Sequence, residues 1–160
     1  MHLNKEERLV EILRERRFTI TTAESLTGGM IASTLVDVPG ASDVLREAYV
    51  TYCDEAKQKL VGVRPETLAE HTAVSMETAR EMAEGSLAAA GADLALSATG
   101  LAGPDGGTAK RPVGLVYIGC CLQGKTAVEE LRLTGNRSEI RRQTTERALA
   151  LALKCLEQES

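Results

Sequence analysis

The stretch "FTITTAESLTGGMIASTLVDV", residues 18–38, decides the fold. Its opening "FTITTA" is rich in β-branched residues and reads as a short strand ending at Glu24–Ser25, while "GGMIASTLVDV" is helical in pattern up to Pro39–Gly40. A strand running through a tight turn into a helix is the repeating unit of α/β sheets, which bind ligands at the carboxyl ends of their strands. Ser25 stands at such an end, and two roles are open to it. Its hydroxyl, or that of Thr27, can cap the helix, worth roughly 1 kcal/mol; or Ser25 can be a nucleophile. Gly28 and Gly29 bear on the choice. In a first helical turn each costs roughly 1 kcal/mol against alanine, and a cap needs neither. Glycine there lets a substrate approach the backbone, with N–H groups aimed at developing negative charge.

Outward from this unit, apolar residues at Leu3, Leu9, Val10 and Leu13 predict an amphipathic first helix over about 3–17. "VLREAYVTYC" reads as a second strand, followed by a short helix, "DEAKQKLVGV", with Asp54 as its N-cap and Pro65 as an interruption. Ser75 can cap a longer helix carrying Met76, Ala79, Met82, Ala83 and Leu87 on one face, stopped at Gly91. "DLALSATG" is a buried strand leading into the glycine-rich loop "TGLAGPDGGTAKRPVG". "PVGLVYIGCCLQGKTAVEELRLTG" then reads as an antiparallel pair joined near Gln123–Gly124, and a last helix is entered at Asn136 or Ser138. Strands alternating with helices, plus one hairpin, imply a single three-layer α/β/α domain with a mixed sheet over residues 1–160.

The bulk composition narrows the function classes. At 160 residues, 43% apolar and 26% charged, the chain has the makeup of one folded domain. The 19 Lys and Arg are scattered among 23 acids, giving a net charge of −4, and Phe18, Tyr49, Tyr52 and Tyr117 are the whole aromatic set. Neither a basic face nor a stacking platform for nucleic acid emerges. No apolar run approaches the ~20 residues that span a bilayer, and the charged start lacks the apolar centre of a signal peptide, so a cytoplasmic protein is expected. Cys53, Cys120, Cys121 and Cys155 show no C-x-x-C spacing, and with His2 and His71 the only imidazoles a metal site is not expected. Cys120 and Cys121, adjacent on a strand, should face opposite ways.

A nucleophilic serine needs a base, and neither histidine has suitable surroundings. Lysine can serve if burial leaves it partly neutral. Lys57 is the candidate: it lies on the first turn of the helix after the second strand, at the same sheet end as Ser25. Its alternative is an ordinary exposed helix lysine. The loop from Thr99 to Gly107, with Gly100, Gly103, Gly106 and Gly107, offers irregular backbone N–H groups of the kind that hold anions, yet matches neither a P-loop nor a Rossmann pattern. A surface loop with a Pro-Asp-Gly turn is equally open. Arg137, Arg141 and Arg142 open the last helix, where a cation opposes the helix dipole unless an anion answers it. Pairing with Glu139, Glu146 or solvent is the alternative.

Taken together, "TTAESLTGG", "VPGASDVLREAYVTYCDEAKQKLVGV", "AVSMETAREMAEG", "SATGLAGPDGGTAKRPVGLVYIG" and "LTGNRSEIRRQTTERAL" resemble, in order and over nearly the whole chain, the C-terminal domain of the CinA competence/damage-inducible proteins and its free-standing PncC-type nicotinamide-nucleotide amidase relatives. The resemblance implies hydrolysis of nicotinamide mononucleotide to nicotinic acid mononucleotide and ammonia, in pyridine-nucleotide recycling. It matches Ser25 to the family's nucleophile, Lys57 to the lysine that activates it, Tyr52 and Thr99 to positions lining the site, and Arg137 to the arginine of a G-[DN]-R motif. Thr27, Gly28, Gly29, the loop glycines and Arg141 are expected to contact substrate, with the oxyanion on N–H groups near Gly28 and Gly29 and with no metal or organic cofactor. Leu26 replaces a frequent cysteine, and "TYCDEAK" the commoner T-Y-S-N-x-A-K. Larger family members carry an extra N-terminal domain, which this chain looks to lack. The apolar "VGLVYIGCCL" and the resemblance together predict a homo-oligomer. Two other functions fit the same residues: a nucleotide-binding regulatory domain without turnover, or a hydrolase of another small amide.

Overall fold

The computed structural model describes residues 2–159. A five-stranded sheet has the order β2-β1-β3-β4-β5. β1 (Ile20–Glu24) lies between β2 (Tyr49–Val50) and β3 (Leu94–Gly100), parallel to both, while β4 (Leu115–Leu122) and β5 (Lys125–Arg132) continue the sheet antiparallel. The turn joining β4 and β5 has Gln123 and Gly124 at φ 49° and 89°, the double left-handed geometry of a two-residue hairpin.

Period-two alternation sorts the side chains into layers. Leu94, Leu96 and Ala98 of β3 pack on one face with α1 (Lys5–Arg16), α2 (Met30–Val36) and α6 (Arg137–Glu159), through Leu9, Leu13, Ile31, Leu35 and Leu149 among others. On the other face Ala95 and Cys121 meet Ala83 of α5 (Met76–Ala90), and Ala23 meets Met82 and Val61. Val61 ends α3 (Asp54–Val61). Cys120 faces the first layer and Cys121 the second, as the alternation requires. The result is the three-layer α/β arrangement with a mixed sheet.

Several elements follow directly from local chemistry. Asn4 and Glu7 form a capping box on α1, and Ser75 Oγ accepts the Thr78 N–H at 3.1 Å at the start of α5, which Gly91 ends in a left-handed conformation. Asn136, not Ser138, caps α6: its Oδ1 accepts the Glu139 N–H at 2.9 Å while Glu139 accepts the Asn136 N–H at 2.8 Å. Within α5, Gly85 has a packing reason. A methyl there would run into the Val61 carbonyl oxygen, so glycine lets α3 press against α5.

The structure corrects four local expectations. The second strand shrinks to Tyr49–Val50 with an isolated bridge at Leu45, because 46–48 are exposed and unpaired with β1. Asp54 is the first helical residue of α3, after a Cys53 cap that makes no side-chain bond. Pro65 begins a helix, α4 (Pro65–His71), where its missing N–H is harmless. Met76 is exposed, and Thr78 and Ser86 join Ala79, Met82 and Ala83 on the buried face of α5. The apolar run of β4 is interior, lying between β3 and β5, and so gives no argument for association. Among the described residues no helix is long and apolar enough to cross a membrane.

Candidate active site

The cap of α2 is neither Ser25 nor Thr27. It is Glu24, the last residue of β1, fully buried. One carboxylate oxygen accepts the N–H groups of Gly29 at 3.2 Å and Ile31 at 2.9 Å; the other accepts Ala32 N–H at 3.0 Å and the Thr22 hydroxyl at 3.0 Å. A carboxylate at a helix N-terminus satisfies orphan donors and opposes the dipole at once. Because successive strand residues face opposite ways, Glu24 on the α2 side leaves Ser25 to the α3 side, free of capping duty.

There Ser25 meets Lys57. The ammonium nitrogen of Lys57 lies 3.1 Å from Ser25 Oγ and donates at 2.8 Å to the Thr51 carbonyl, which fixes the side chain's direction. Lys57 is 1% exposed, in the first turn of α3, so it is not the ordinary helix lysine of the alternative reading. Burial lowers its pKa below the usual lysine value, against a smaller opposite effect of the Asp54 and Cys53 charges. A lysine poised toward neutrality within hydrogen-bond reach of a serine hydroxyl is the arrangement that activates an acyl-transfer nucleophile. His71, at the end of α4, instead lies 3.9 Å and 3.7 Å from the carboxylates of Glu70 and Glu77.

Around this pair the structure gathers a polar rim. Arg137, at the first position of α6, donates to the Gly103 carbonyl at 2.8 Å and to the Tyr52 hydroxyl at 2.9 Å, joining the glycine-rich loop to the segment before α3. Tyr52 is 60% exposed, so this bridge is open to solvent. Thr99 sits one residue beyond Ala98, whose carbonyl accepts the Ser25 N–H at 2.9 Å. Its buried hydroxyl donates to the Ala73 carbonyl at 2.7 Å. Arg111 donates to the carbonyls of His71 and Val74, tying the far end of the loop to the same segment.

Other predicted contacts are put to different use. The Gly28 N–H donates to the Ser25 carbonyl at 3.0 Å and the Gly29 N–H to Glu24, so neither is available to an oxyanion. These glycines precede α2, which starts at Met30, and occupy left-handed conformations in the turn. Thr27 is fully buried, its hydroxyl without a hydrogen-bond partner among the described residues, so that side chain is closed to a substrate. Arg141 donates to the carbonyls of Leu26 at 2.8 Å and Thr27 at 3.0 Å, a main-chain clamp. In the loop, a methyl on Gly103 would strike Val113 Cγ1 and one on Gly107 would lie 2.8 Å from Val113 N; close packing on Val113 demands glycine at both. Gly100 ends β3 against Leu115 and Val116, while at Gly106 a methyl would meet only Leu101 Cδ2 at 3.9 Å and the φ of +92° is what favours glycine. Sequence reasoning missed Glu24 and Arg111. The alternation of β1 could have assigned Glu24 to the helix side; no local pattern marks Arg111.

The model of the CinA C-terminal domain matches residues 2–156. A CinA-like protein of Kosmotoga olearia is 50% identical over 151 residues, 94% of this chain and 37% of that protein. The chain spans 35–37% of the length of the first curated relatives it matches. Among solved structures, the competence/damage inducible protein CihA of Agrobacterium tumefaciens is 38% identical with a TM-score of 0.88, covering 96% of this chain and 98% of that one. A competence-damaged protein (CinA) superfamily protein of Klebsiella pneumoniae is 35% identical with a TM-score of 0.92, covering 98% and 99%.

Proposed function

The chain belongs to the CinA C-terminal domain family, and from that premise we propose that it hydrolyses the carboxamide of nicotinamide mononucleotide, giving nicotinic acid mononucleotide and ammonia. The observation that carries the reading is the buried Lys57 ammonium nitrogen 3.1 Å from Ser25 Oγ. Neutral Lys57 takes the hydroxyl proton as Ser25 Oγ bonds to the amide carbon. The C–N bond then breaks, Lys57 returns the proton to the departing nitrogen, and water resolves the acyl-enzyme with Lys57 again as base. Arg137 and the loop it touches at Gly103 hold the ribose phosphate, so binding energy remote from the amide positions it. The reaction so proposed is one of pyridine-nucleotide recycling.

Ammonia release from nicotinamide mononucleotide by the purified chain, run beside Ser25→Ala, tests the reading. Release that disappears in the variant is expected. Nucleotide binding by folded wild-type protein without release would overturn it in favour of a binding domain. Release only from other amides would overturn the substrate.

A further inference from the structure

With the Gly28 and Gly29 N–H groups taken, the proposed acyl transfer needs another donor for the oxygen that becomes negative. The turn from Ser25 to Gly28 holds two: among the described residues, the N–H groups of Leu26 and Thr27 have no acceptor. Thr27 is fully buried and Leu26 nearly so, and of their two N–H groups that of Leu26 shares its peptide unit with Ser25. It belongs to the residue directly after the nucleophile, the position that supplies an oxyanion donor at strand-to-helix serine turns.

We propose that Arg141 is a positioning residue for this donor; the inference rests on the acyl-transfer reading above. In a trans peptide the C=O and N–H point in opposite directions, so fixing one fixes the other. Arg141 Nε holds the Leu26 carbonyl at 2.8 Å and Nη2 holds the Thr27 carbonyl at 3.0 Å, which sets two consecutive peptide planes from one rigid fork. The second plane carries the Gly28 N–H, directed at the Ser25 carbonyl at 3.0 Å. That bond sets the third plane, whose opposite end is the Leu26 N–H. The Ser25 N–H is itself held by Ala98 at 2.9 Å, so the turn is fixed at its entry as well. When Ser25 Oγ bonds to the carbonyl carbon, the carbonyl π pair moves onto oxygen and the proton goes to Lys57; the Leu26 N–H stands ready for that oxygen without reorganisation. Arg141 therefore acts on the turn from α6, through the Leu26 and Thr27 carbonyls.

The experiment compares wild type, Arg141→Lys and Arg141→Gln in two assays. One is kcat and KM on nicotinamide mononucleotide. The other is the rate at which a fluorophosphonate labels Ser25, read by intact mass: an O–P bond forms, P–F breaks, fluoride leaves and the serine proton passes through Lys57 to solvent. Loss of the fork is expected to lower kcat and the labelling rate about 100-fold in Arg141→Gln and about 10-fold in Arg141→Lys, with KM within about threefold of wild type. Free guanidinium ion is expected to restore part of the rate in Arg141→Gln. Both rates unchanged in Arg141→Lys, or a loss confined to KM, overturns the inference. If Arg141→Gln does not fold, Arg141→Lys decides alone. Wild-type protein that labels at Ser25 but releases no ammonia overturns the amidase reading while the labelling rates still judge Arg141. Protein that does neither overturns both.

Discussion

Lys57 reaches Ser25 from the strand–helix unit that follows it in sequence, its nitrogen 3.1 Å from the serine oxygen across 32 residues of chain. Parallel pairing of β1 with β2 brings the two carboxyl strand ends side by side, and α3 starts four residues beyond Val50. Ser25→Ala and Lys57→Met are each expected to lower ammonia release about 1,000-fold or more while remaining folded. Circular dichroism and a steady-state ammonia assay on both variants check this.

The depressed pKa of Lys57 fixes the sign of two pH effects. The native protein binds fewer protons than the unfolded chain between the folded and the ordinary lysine pKa, so this residue makes stability rise with pH across that window. Activity is expected to rise over the acid side of the same titration, since in the proposed mechanism only neutral Lys57 accepts the serine proton. Asp54 opposes the shift, so Asp54→Asn is expected to move the acid limb of kcat/KM to lower pH. A pH–rate profile of the two proteins reads it; movement to higher pH contradicts the assignment.

Arg137 joins Gly103 and Tyr52 at the open rim. Arg137→Ala is expected to cost roughly 10- to 100-fold in kcat/KM on the nucleotide and far less on its dephosphorylated riboside. Equal losses on the two substrates would remove the phosphate role.

Glu24 satisfies the N–H groups of Ile31 and Ala32 in α2, that of Gly29 just before it, and one hydroxyl, in a fully buried setting. Glu24→Ala leaves those donors without an acceptor and is expected to destabilise the fold by about 3 kcal/mol or more. Glu24→Gln, which keeps one acceptor oxygen, should lose less. Urea unfolding midpoints rank the two.

Gly85→Ala puts a methyl into the Val61 carbonyl and must push α3 from α5. A loss of about 1–3 kcal/mol is expected, with a fall in kcat beyond it because Lys57 rides on α3. Thermal melting and turnover measured together separate the two effects.

The features that local chemistry controls were legible in the sequence: the strand-turn-helix at Ser25, the Ser75 cap, the Gly91 stop, the Gln123–Gly124 turn and the two layers of β4. What escaped reading depends on contacts across distance. Glu24 caps a helix starting six residues later from the end of a strand, outside the offset at which N-cap rules look. Pro65 carries the same residue signal whether it breaks a helix or opens one, and the exposed Arg64 before it settles that only through backbone geometry. Arg141 lies over a hundred residues from the carbonyls it holds, so the dipole argument that linked it to an anion had no view of them. The loop glycines looked like an anion cradle, and at 103 and 107 the neighbour that requires them is Val113.

The first turn of α2, beside Ser25, has N–H groups of the kind that elsewhere hold inorganic phosphate or sulfate, and here they are already taken by the buried carboxylate of Glu24. On the phosphate role proposed for Arg137, simple oxyanions are expected to compete at that rim, so high concentrations of such salts should weaken capture of a phosphorylated ligand there.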